Sequence, residues 1–293
     1  MGVEMEKNLV IVKFGGSVIT TKTGRKAINR KNLDLICSEI GEAYKLSDKN
    51  LIIIHGGGSY GHPLARKLGF RYSRQVKKNN KNNNGTTLPS KSSNVLSNYS
   101  KIKTTMEALN MKVVEFLLSH DAPAIAFHPS DFCMTNEGEI ESMYVKQIES
   151  CLQKREISVL HGDVVKDKVA GTVILSGDQI LSHLAREFKD FVSFVVVGTD
   201  VDGVFTKDPK VARKDASRIE RITPESFNDL RLKFTTSQID VTGGMRQKVE
   251  TLVELAKDGI NSVIIDIKQK DVLCDLITKG LPESYGRGTV IKS

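Results

Sequence analysis

"IIIHGGGSYGHP", Ile52 to Pro63, decides the reading of this chain. An apolar run ends in three consecutive glycines, and two histidines bracket the loop. Gly56, Gly58 and Gly61 spell G-x-G-x-x-G, the dinucleotide fingerprint. That fingerprint needs an acidic residue about 20 positions on to hold the ribose. No Asp or Glu lies between His62 and Glu107, so the dinucleotide reading fails. A Walker A loop fails because the chain has no Gly-Lys pair, and protein-kinase signatures fail because H-R-D and D-F-G are missing. The general property survives. Glycines let backbone N–H groups converge on an anion, and a helix expected to begin near Pro63 adds its positive end.

Outward from this loop, β-rich runs recur at Asn8–Phe14, Leu51–His55, Ala122–Phe127, Ile157–Gly162, Phe191–Thr199 and Ile260–Asp266. Most lack strict alternation, as strands buried on both faces do. Helical patterns separate them. "RKNLDLICSEIGEAYKL" puts Leu33, Ile36, Ile40 and Ala43 on one face, and "YSKIKTTMEALNMKVVEFLLSH" and "GDQILSHLAREF" read likewise. Alternating strands and helices predict an α/β fold with a largely parallel central sheet covered on both sides. The polar clusters Gly15–Ser17, Gly56–His62, Gly162–Asp163 and Asp200–Gly203 all follow strand carboxyl ends, where open α/β sheets bind ligands. The tract 71–94 is rich in Asn, Lys and Ser and is expected to be a mobile low-complexity insertion, either tolerated or acting as a lid. The segment from Gly203 to Phe234 is polar and suggests a hairpin subregion.

Bulk properties narrow the classes. The 293 residues, 39% of them hydrophobic, suffice for one large α/β domain. No apolar run is long enough to cross a membrane, and the acidic opening residues Glu4 and Glu6 do not suit a secretory leader. Cys37, Cys133, Cys151 and Cys274 are scattered without a C-x-x-C pair, which argues against zinc or a disulfide framework and fits a reducing cytoplasm. The net charge of +8 would suit nucleic acid, but no such motif is present and aromatics are few. A phosphorylated anionic substrate fits better, because the lysines sit beside glycine turns.

The first strand ends in "VKFGGSVITTKTG". Lys13, with Phe14 between, precedes Gly15, Gly16 and Ser17, a second anion-binding turn, and Lys22 follows. Two glycine turns on one sheet edge suggest two phosphate-bearing ligands facing each other. "KFGGS", "HGGG", "SGDQI", "TDVDGVFTKDP" and "DVTGGM" occur in the order typical of the amino acid kinase superfamily, and the chain resembles it from Lys13 to about Val290. "HGGGSYGH" with "HGD" and "DVTGGM" is most similar to its isopentenyl phosphate kinase branch; fosfomycin kinases are also similar.

The resemblance implies a three-layer αβα sandwich and a homodimer. It also implies ATP- and Mg2+-dependent in-line phosphoryl transfer to isopentenyl phosphate, giving isopentenyl diphosphate in isoprenoid biosynthesis. Residues 1–293 would form one domain, with acceptor binding roughly in 1–170 and nucleotide binding roughly in 171–293. Lys13 would bridge the β- and γ-phosphates, and Lys22 matches the family lysine that stabilises the transition state. Gly15, Gly16, Ser17 and Gly58 would offer donors to the nucleotide phosphates. Asp178, Gly244 and Lys248 match nucleotide-side positions. Gly57, His62 and Gly162 would hold the acceptor phosphate, and Asp163 and Asp178 are the carboxylates suited to ordering lysines or Mg2+. No direct side-chain metal ligand is assigned.

Other residues carry plainer readings. His55 and His161 are expected to support the site rather than act in it, and His128 to be a loop residue. Asp200 and Asp202 fit ordinary Asp-Gly turn chemistry at least as well as a metal. Phe70, Tyr72, Met106, Leu109, Val113 and Phe132 are candidates to line an apolar acceptor pocket. The rival functions are a kinase of this fold for another acceptor, such as fosfomycin, and a non-catalytic nucleotide sensor. Neither nucleic acid nor membrane is expected as a partner.

Overall fold

The computed structural model describes residues 7–21, 27–70, 72–73, 93–207, 216–235 and 243–293. Lys22 and most of the 71–94 tract lie outside the described residues. The expected class is what forms: an α/β chain with a large, mostly parallel sheet and helices between its strands. Among the described residues no helix is long and apolar enough to cross a membrane.

The chain divides into two compact units. The first comprises the described residues of Met1–Phe14, Ser38–Leu51 and Leu181–Ser293. Strand β1 (Leu9–Phe14) runs parallel to β9 (Val192–Thr199), with Lys13 opposite Val197. Strand β13 (Ser262–Asp266) lies parallel to β9 on its other side. Strand β14 (Gly288–Ile291) pairs antiparallel with β13, and β12 (Arg221–Ile222) extends the sheet parallel to β14. The interior strands are buried along nearly their whole length, which explains their unbroken apolar runs. Helix α2 (Arg30–Leu46) contributes its second half to this unit and meets α10 (Val272–Lys279) there. Buried Glu39 accepts backbone N–H bonds from Asp271, from Leu273 at 2.9 Å and from Cys274 at 3.2 Å. These satisfy donors that a helix start otherwise leaves unpaired. Short strands β10 (Val204–Phe205) and β11 (Arg218–Ile219) pair antiparallel, in the region read as a hairpin, and helix α8 (Pro224–Thr235) follows β12.

The second unit comprises Gly15–Cys37 and Ile52–Ile180. Strand β2 (Asn50–His55) pairs parallel with β6 (Ile157–His161), which pairs parallel with β3 (Ala124–Ala126). Helices α1 (Gly16–Ile19), α3 (Gly58–Lys67), α4 (Ser93–Ser119), α5 (Pro129–Phe132) and α6 (Lys146–Gln153) belong to this unit. It also carries a four-stranded sheet that the sequence reading did not foresee. Its order is β5 (Glu139–Met143), β4 (Cys133–Asn136), β7 (Asp163–Asp167) and β8 (Gly171–Leu175). These strands are four or five residues long, and apart from "VIL" in β8 none carries an apolar run longer than two residues, unlike the others.

Candidate active site

The two glycine turns of the second unit pack backbone against backbone. A Cβ on Gly16 would stand 2.0 Å from the nitrogen of Gly58 and 2.5 Å from the oxygen of Gly56. A Cβ on Gly58, whose φ of +47° already favours glycine, would stand 2.2 Å from Thr20 Oγ1. Only glycines allow this approach. Thr20 latches the turns together: its hydroxyl donates to the Gly16 carbonyl at 2.7 Å and accepts the Ser59 N–H at 3.0 Å. The sequence reading passed over Thr20, because nothing in a lone threonine after a glycine turn signals such a latch.

Helix α3 starts at Gly58, not near Pro63 as expected. Tyr60 and Gly61 bond back to the Gly57 carbonyl at 3.0 and 3.1 Å, closing the first turn within the glycine loop. Pro63 therefore lies inside the helix, and the positive end belongs to the glycines themselves. Met106 on α4 packs against this turn, its Sδ 3.0 Å from where a Cβ on Gly57 or Gly61 would be. His62, exposed on α3, has its Nδ1 2.8 Å from the Tyr72 hydroxyl. Of the other pocket candidates, Met106, Leu109 and Val113 are buried, and Phe132 meets Phe127 edge-on at 6.2 Å.

Beneath the loop lies a row of imidazoles. His55 and His161 are register partners at the ends of β2 and β6, fully buried, with ring centres 5.6 Å apart. Asn110 of α4 donates to the carbonyls of Phe127 and Val159, which turns its Oδ1 toward His55 Nε2 at 3.0 Å. His161 Nδ1 faces the Gly162 carbonyl at 3.1 Å, so it carries the proton and leaves Nε2 to accept from His128 Nδ1 at 3.0 Å. Burial drives both His55 and His161 down to about 3, helped by the neighbouring imidazoles. They are neutral structural groups, and His128 is tied to them rather than being a plain loop residue. The sequence reading missed Asn110, whose place in a helical pattern gave no sign of its three bonds.

Gly162 donates its N–H to the His55 carbonyl at 3.0 Å, extending the β2–β6 ladder. The Asp163 carboxylate accepts the N–H of Ser130 at 3.0 Å and of Val164 at 2.8 Å, fixing the start of α5. Burial pushes Asp163 up to about 6 against these bonds. Lys103, nearby, bonds Ser130 Oγ at 2.8 Å and pairs with Glu107 at 3.0 Å and with Asp131. Asp178 is half-buried in the first turn of α7 (Gly177–Glu187).

In the first unit, Lys13 is 4% exposed in a strand whose other residues are all apolar and buried. Gly244 and Lys248 share the first turns of α9 (Gly243–Lys257), where Lys248 Nζ donates to the Gly244 carbonyl at 3.3 Å. Asp202 pairs with Arg218 at 2.8 Å, in keeping with the structural reading of that turn. Among the described residues, no group of three or more His, Cys, Asp or Glu is placed to hold a metal ion.

Residues 8–266 match the model of the Amino acid kinase family. The chain is 35% identical to the isopentenyl phosphate kinase of Methanothermobacter thermautotrophicus, over 88% of this chain and 91% of the relative. It is 25% identical to the isopentenyl phosphate kinase of Arabidopsis thaliana, over 96% and 95% of the two chains. A solved isopentenyl phosphate kinase structure superimposes with a TM-score of 0.75 at 30% identity, covering 97% of this chain and all of that one.

Proposed function

Because the chain belongs to the amino acid kinase family, we propose that it transfers the γ-phosphoryl group of ATP to the phosphate of isopentenyl phosphate, giving isopentenyl diphosphate and ADP. The observation that carries this reading is the pair of glycine turns packed backbone on backbone, with His62 on the helix that one of them opens.

An oxygen of the acceptor phosphate attacks the γ-phosphorus, and the bond to the β,γ-bridging oxygen breaks. Both phosphates are already ionised near neutral pH, so no general base is required. The difficulty is repulsion between two anions, and catalysis consists of neutralising charge and holding the reactants in line. Lys13 bridges the β- and γ-phosphates. Lys22 stabilises the moving phosphoryl group. Gly15, Gly16, Ser17, Gly58, Asp178, Gly244 and Lys248 serve the nucleotide. Gly57 and His62 bind the acceptor phosphate. Gly162 borders it without offering its N–H, which His55 already holds, and Asp163 acts by positioning the start of α5. Mg2+ would arrive with the nucleotide and offset phosphate charge. We further propose a homodimer, as the resemblance implies, and a reducing cytoplasm as its setting, the latter supported by four free, buried cysteines.

The test is direct. Incubation with MgATP and isopentenyl phosphate should give the paired diphosphate signals of the product in the phosphorus NMR spectrum. A spectrum that retains only ATP and the monophosphate would overturn the proposal.

A further inference from the structure

His62 is exposed on α3, and an exposed imidazole on a helix surface ordinarily samples several rotamers. Here its Nδ1 is 2.8 Å from the Tyr72 hydroxyl, with the two ring centres 6.0 Å apart and tilted by 36°. Tyr72 does not belong to α3. Its backbone forms a parallel bridge with Ile174 of β8. The next residue, Ser73, is buried and its hydroxyl donates to Gln179 Oε1. Gln179 Nε2 in turn donates to the Gly138 carbonyl at 3.0 Å, in the turn between β4 and β5. The backbone that carries this hydroxyl is thus held by the four-stranded sheet and α7, not by the helix that carries the histidine.

We propose that Tyr72 is a positioning residue for the acceptor phosphate, its hydroxyl fixing Nδ1 of His62 so that Nε2 carries the proton offered to the phosphate. The proposal rests on His62 being an acceptor ligand.

A hydroxyl suits this place because it can donate or accept. In the proposed arrangement the Tyr72 O–H donates to Nδ1 of a neutral ring, because an anion facing Nε2 favours the tautomer with its proton there. If the ring gains a second proton beside the phosphate, Nδ1–H donates to the same oxygen and the ring need not turn. A backbone carbonyl in that position would accept only, forcing the proton of a neutral ring onto Nδ1 and aiming a lone pair at the anion. Burial raises the Tyr72 phenol above its ordinary value, with Arg66 opposing, so the group keeps its proton at neutral pH. An orienting partner on the far nitrogen is the general way in which a protein sets which imidazole nitrogen is protonated.

The experiment combines NMR and kinetics on the full chain. In 15N-histidine-labelled protein at pH 8, with the His62 signals identified by their loss in His62→Gln, Nε2 should be protonated and Nδ1 bare. A proton on Nδ1 overturns the proposal. Tyr72→Phe keeps the ring and removes only the hydroxyl. It should raise KM for isopentenyl phosphate about fivefold, as loss of one neutral hydrogen bond predicts, with kcat, KM for ATP and melting temperature close to wild type. In a His62→Gln background the same change should add nothing, because the amide has no second ring nitrogen to be oriented. An unchanged KM in the single variant, or an equal rise in the His62→Gln background, overturns the proposal. Failure of the underlying assignment has a different signature: His62→Ala and His62→Gln would both leave the acceptor KM at wild type while the NMR still reported the Tyr72 bond.

Discussion

Gly16→Ala is the substitution that probes the junction of the two glycine turns most sharply. Its Cβ would stand 2.0 Å from the nitrogen of Gly58, where real Cβ contacts essentially never fall below 3.0 Å. The atoms it meets are backbone, so no side chain can swing away, and the turns must part by about 1 Å. Overpacking of this kind costs about 1–3 kcal/mol. At about 2–4 °C per kcal/mol for a chain of this size, the melting temperature should fall by roughly 2–12 °C. Misplacing reacting groups by that distance can cost about 100-fold in rate, so kcat/KM should fall by about that factor. Gly15→Ala is the control one residue away. Its Cβ would meet only Ser17 Oγ at 3.6 Å, and its φ of −67° and ψ of 140° suit any residue. That variant should melt within about 2 °C of wild type. Differential scanning calorimetry and steady-state kinetics on both variants decide the matter. If Gly16→Ala melts and turns over like wild type, the turns are not in contact and the reasoning fails.

Three further outcomes are expected. Glu39→Ala strands the N–H groups of Asp271, Leu273 and Cys274 at a buried helix start and should lower unfolding stability by about 2–4 kcal/mol in urea, with kcat preserved at permissive temperature; an unchanged midpoint would refute the capping role. Asp163 is raised in the fold from 3.8 to about 6, so its contribution favours the fold below pH 4 and is lost as pH rises through 6; the stability of Asp163→Asn relative to wild type should improve by up to about 3 kcal/mol between pH 4 and 7, and parallel pH profiles would contradict the shift. His161 is depressed from 6.5 to about 3, so its contribution is present above pH 6.5 and lost on acidification, at about 1.4 kcal/mol per pH unit; His161→Gln should show a visibly shallower decline between pH 6.5 and 4, and an identical slope would remove His161 from the acid response.

The strands buried on both faces were legible because continuous runs such as "LVIVKF" and "LIIIH" admit few other placements. Strands β4, β5, β7 and β8 were not, because "CMTN" or "DVVKD" is too short and too polar to carry a period. The start of α3 was misjudged because Pro63 looks like a first-turn proline, while the turn actually closes on the Gly57 carbonyl. In the candidate site, glycines and lysines beside strand ends announced a phosphate chemistry. The bonds that order the surroundings, Thr20 to Ser59, Asn110 to His55 and Ser73 to Gln179, join residues far apart in the chain, which local spacing does not record. Tyr72 was read as an apolar wall, and its hydroxyl proves to face His62.

The central claim concerns the acceptor, and a coupled ADP-release assay across a panel of acceptors tests it most directly. With isopentenyl phosphate, dimethylallyl phosphate, longer prenyl phosphates, fosfomycin and uridylate supplied in turn with MgATP, kcat/KM should be highest for isopentenyl phosphate, by about 100-fold or more over fosfomycin and uridylate, a margin of about 3 kcal/mol in transition-state stabilisation. No turnover of any prenyl phosphate, or a preference for fosfomycin or uridylate, would contradict it.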